Sequence, residues 1–149
     1  MNVKLYLVIG LCTVFILLNG CKSSDDPVAI DPFAQQTTLL ENNGKPWISS
    51  GGSIIKDGYD VSSQFNGFKL SISGNQYSTV NSLKDVWGTQ GSWSYHDNNI
   101  NVLERNDGVL LTIKLINNEL TITFTDPKGS SGGSLEGISG DYIFELVSE

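Results

Sequence analysis

The stretch at 100–126 constrains the fold more than any other part of the chain. Three apolar-alternating runs lie there, separated by Asn106-Asp107-Gly108 and by Asn117-Asn118. In the middle run Val109, Leu111, Ile113 and Leu115 share one face. In the next, Leu120, Ile122 and Phe124 face one way while Thr121, Thr123 and Thr125 face the other. A period of two with one apolar face marks a half-buried antiparallel strand, and Asn, Asp and Gly between runs accept the positive φ of tight hairpins. The stretch reads as a β-meander.

The same pattern extends to both sides. Residues 47–55 give a first strand interrupted by Gly51-Gly52, which predicts a bulge or sharp bend. Residues 56–60 read as a turn, and 61–66 as a connection with a short helical turn. Phe68, Leu70 and Ile72 alternate with polar residues, Gly74-Asn75 fits a two-residue turn, and Tyr77 and Thr79 share a face on the return. An irregular loop at 81–88 holds Trp87, which is expected at a surface or rim. Trp93 and Tyr95 lie on one side of a strand that ends in a polar turn at 96–99. After 100–126 comes a Gly/Ser-rich loop at 127–139, a candidate lid, and then a last strand with Tyr142, Phe144 and Leu146 facing one way. Ahead of the strands, Asp31 suits an N-cap and Pro32 the first helical position. Phe33, Leu39 and Leu40 supply an apolar side, and Gly44 a stop.

Eight strands joined by hairpins, with no crossover helix, can close on themselves and remove their edges. The expected fold is all-β: an eight-stranded antiparallel up-and-down barrel with a short N-terminal helix, over residues 32–149.

The N-terminal segment carries an address. Residues 1–20 have Lys4 followed by an apolar run at 5–18, too short for a comfortable membrane span, and read as a signal peptide. Leu18-Asn19-Gly20-Cys21 resembles a bacterial lipobox. That resemblance implies cleavage before Cys21 and its acylation, and several acyl chains anchor stably where one does not. Residues 21–31 then form a polar tether. Lys22 after Cys21 looks like outer-membrane sorting, and Asp25-Asp26 loosely resembles a surface-export signal, so the periplasmic and surface faces both stay open. Cys12 would leave with the signal, and no thiol would remain for a disulfide or a metal site. The net charge of −7 argues against nucleic acid or an anionic surface as an electrostatic partner.

Signal, short helix, Trp at the head of the first strand and the eight-strand meander together resemble a lipocalin-like bacterial lipoprotein. Gly44-Lys45-Pro46-Trp47 is similar to the Gly-x-Trp entry motif with one residue added. The single arginine, Arg105, falls at a mid-chain hairpin and not near the last strand. The resemblance implies a barrel able to hold a small apolar or amphipathic molecule.

Chemistry is sparse. The lone histidine, His96, lies in Ser94-Tyr95-His96-Asp97 without a nucleophile-elbow motif, so a turn residue is the default. Residues 97–101 place oxygen ligands like the start of a calcium loop, but Val102 and Gly108 stand where such a loop needs Gly and Glu. Asp57-Gly58-Tyr59-Asp60 reads the same way, as a turn. Gly129-Ser130-Ser131-Gly132-Gly133-Ser134 lacks the Lys-Ser/Thr pair of a phosphate loop. No catalytic residue, metal or cofactor is expected. The ligand candidates are Trp47, Phe68, Tyr77, Trp93, Tyr95, Phe124, Tyr142 and Phe144. An eight-stranded barrel can equally be filled by its own side chains. The first expectation is a monomeric, non-enzymatic, outer-membrane lipoprotein binding a small hydrophobic ligand. The alternative is a filled barrel contacting an envelope protein or glycan.

Overall fold

A computed structural model describes residues 30–127 and 138–149. The signal segment, Cys21, most of the tether and the Gly129–Ser134 run lie outside the described residues. Within them the chain forms one short helix, α1 (Pro32–Leu40), and nine strands: β1 (Trp47–Lys56), β2 (Tyr59–Asp60), β3 (Lys69–Ser73), β4 (Gln76–Val80), β5 (Gln90–His96), β6 (Asn99–Arg105), β7 (Leu110–Ile116), β8 (Glu119–Asp126) and β9 (Gly140–Ser148). Eight of them, β1 and β3 to β9, pair in sequence, and β9 pairs back onto β1 to close an antiparallel barrel. The two-residue β2 is an addition to the expected eight; the 56–60 turn continues long enough to pair Ile55 with Asp60 and Lys56 with Tyr59.

Turn chemistry sets the register. Asp97 and Asn98 both take positive φ between β5 and β6, as does Asn117 between β7 and β8. These are the residue types that reach the left-handed region most easily. Inward positions then follow the alternation read from sequence: Leu111 and Ile113 on β7, Leu120, Ile122 and Phe124 on β8, and Tyr142, Phe144 and Leu146 on β9 are all buried. Thr121, Thr123 and Thr125 take the opposite face.

Closure depends on Gly51-Gly52. The β1–β9 register shifts between Ile48 and Ser53, marking the bulge the sequence suggested. A Cβ on Gly52 would stand 1.8 Å from the Glu145 carbonyl oxygen, so no other residue lets β9 lie so close. On its other side β1 meets β3 through only Trp47–Leu70 and Ile48–Lys69. The rest of that seam is spanned by a 3₁₀ turn at Ser62–Phe65, whose Phe65 is fully buried.

The helix plugs one barrel end. Asp31 caps it by accepting from the Phe33 N–H at 2.9 Å. The Trp47 indole N–H donates to the Leu40 carbonyl at 2.7 Å, tying the helix end to the first strand. Leu40 is buried, but Leu39 is 50% exposed, so the apolar side is narrower than Phe33, Leu39 and Leu40 together. The α-helix ends at Leu40 and continues as a 3₁₀ turn over Asn42–Gly44, where Asn42, Asn43 and Gly44 take positive φ and turn the chain into β1, so Gly44 is the stop the sequence suggested. Trp87 is a second correction. Its loop folds inward across the opposite barrel end, leaving the indole 1% exposed and not at a rim.

Gly52→Ala should lower stability by about 3 kcal/mol, because backbone and not a movable side chain must give way. Gly88→Ala, whose Cβ would meet nothing nearer than 3.5 Å, should be almost neutral. Urea midpoints of the two variants check this pair.

Candidate functional site

The barrel interior is where the eight aromatic candidates gather, and they fill it. Phe68, Phe124, Tyr142 and Phe144 form one cluster with Phe65 and Trp87; Phe124 and Tyr142 stack with centroids 5.3 Å apart, and Phe144 meets Phe65 edge-on at 5.1 Å. Such pairs add to the burial they bring. Trp93 and Tyr77 sit farther along the barrel, each in T-shaped contact, with Tyr95 and Trp87 respectively. Tyr95 is half-buried and donates to the Phe33 carbonyl at 3.2 Å, so it fixes the helix. Trp47 performs the same service through Leu40. All eight hold the fold together.

Between the aromatic half and an aliphatic half lies a residual void of about 20 Å³, lined by Leu40, Ile72, Tyr77, Trp93 and Leu103 among others. That is room for about one water molecule. A site for a small organic ligand occupies roughly 300–1,000 Å³. The interior as it stands is core.

Arg105 is the residue whose place the sequence did not reveal. Its guanidinium is fully buried, donating to both Asp107 carboxylate oxygens at 3.0 and 2.7 Å and to the Val86 carbonyl at 3.1 Å. It lies 5.2 Å from the Trp87 ring and 5.6 Å from that of Phe124. The hairpin thus sends its cation inward and fastens the 81–89 loop across the barrel end. The only hint in sequence is Asp107 two residues on, a spacing that permits a local fork.

At the same end, Lys56 donates to Asp57 at 2.7 Å, and Asp57 accepts the Asp141 N–H at 2.8 Å. The lysine, with the amide behind it, holds the Asp57 carboxyl below its usual range. The nearby Tyr142 hydroxyl donates to the Ile138 carbonyl at 2.6 Å. Burial first, then the Asp126 and Asp57 carboxylates, push it up to about 12. His96 lies at the other end, with Nδ1 3.0 Å from Glu104 and Nε2 3.2 Å from Asp97. Both ring nitrogens face carboxylates, so neither is turned to a serine. Among the described residues no group of three His, Cys, Asp or Glu side chains is placed to hold a metal ion.

What remains is the outer wall. At the β4–β5 seam, pairs Gln76–Ser92, Tyr77–Gly91 and Ser78–Gln90 form a ladder of only three steps. A groove of about 590 Å³ runs over it, lined by Ser71, Ser73, Gln76, Tyr77, Ser78, Gln90, Gly91, Ser92 and Asn106. None of these carries a charge. No protein family, curated protein or solved structure matches the chain.

Two measurements follow from these contacts. Arg105→Lys should lose about 2–3 kcal/mol, since lysine cannot reproduce the two-pronged bond to Asp107; denaturant unfolding reads it. Because the folded-state Tyr142 value lies above that of a free tyrosine, the folded state keeps a proton that the unfolded state loses. Its stabilising effect is whole below about pH 10 and disappears as pH rises towards about 12. The alkaline fall in melting temperature should be shallower in Tyr142→Phe than in the wild type.

Proposed function

We propose that this protein is a lipid-anchored, non-enzymatic barrel of the cell envelope, whose outer wall contacts an envelope component. One observation carries the reading: the interior is occupied by the chain's own side chains, with a void of about 20 Å³. A barrel whose described interior leaves so little room is better suited to act through its surface. Of the two functions open from sequence, the filled interaction module is therefore preferred to the carrier of a small apolar ligand, which would have to displace Trp87 or Trp93.

The lipobox-like Leu18-Asn19-Gly20-Cys21 supports the anchor, and the polar residues that follow support a tether. In this reading Cys21 carries the acyl chains and the barrel stands off the outer membrane on its periplasmic or surface face. Strand pairing around the whole barrel supports a monomer, because it withdraws the edges through which sheets associate. The carboxylates of Asp97 and Glu104 that face both ring nitrogens of His96 support a non-enzymatic role.

Metabolic labelling with a fatty acid should mark the wild type and leave Cys21→Ala unmarked; equal labelling refutes the anchor. Native mass spectrometry of the barrel should show the bare chain mass. A stoichiometric apolar adduct would restore the carrier reading. Cross-linking in intact cells from positions on the outer wall should capture one envelope component repeatedly, and failure to do so counts against the contact role.

A further inference from the structure

We draw no further inference here: the strongest candidate, the partly exposed apolar stripe of Ile55, Leu110 and Ile143 on the outer wall beside Asp57 and Asp141, is an unpartnered face, and nothing in the structure shows what covers it.

Discussion

Everything in this barrel depends on the ladder between β1 and β9. The first strand must approach the last closely enough to pair from Trp47–Ser148 through Lys56–Tyr142, and the bulge at Gly51-Gly52 makes that approach possible. Once it is made, the sheet has an inside and an outside. Alternation along each strand then sorts side chains between them without further instruction. The few places where the seam is thin, between β1 and β3, are covered by the Ser62–Phe65 turn and β2.

The inside is used up by the fold. One half is aromatic around Phe144, the other aliphatic around Leu120 and Ile122, and both ends are stoppered, by Leu40 from the helix and by Phe65 and Trp87 from loops. Arg105 keeps the second stopper in place by bonding the Val86 carbonyl beside Trp87. A guanidinium buried among rings with its fork satisfied by Asp107 rigidifies an end that would otherwise be a mouth. The groove on the wall is the counterpart: where β4 and β5 share only three pairs, the surface becomes concave and polar.

Much of this was legible in the residues. The 100–126 runs, the Asn-containing turns, the Gly51-Gly52 break and the Asp31-Pro32 cap each obey a local rule, and the structure obeys it too. Legibility failed where local rules run out. Trp87 lies in a loop, where no periodicity says which way a side chain points, and its burial follows from long-range contact with Phe68, Phe124 and Phe144. Leu39 sits beside Leu40 in sequence, and a short helix buries one and not the other. The groove was invisible for a different reason: Ser78, Gln90, Ser92 and Asn106 are unremarkable singly, and only the strand register assembles them.

Closure between β1 and β9 joins the two strands most distant in the chain. Long-range pairing is slow to form because the loop entropy is spent before the contacts repay it. Until β9 arrives, β1 and β8 both present unpaired edges, and the apolar faces of every strand between them are open to water. The chain is then most vulnerable to strand exchange with its neighbours. One ladder thus withdraws two long strand edges at once, and the β1–β9 pairing is what keeps them from neighbouring chains.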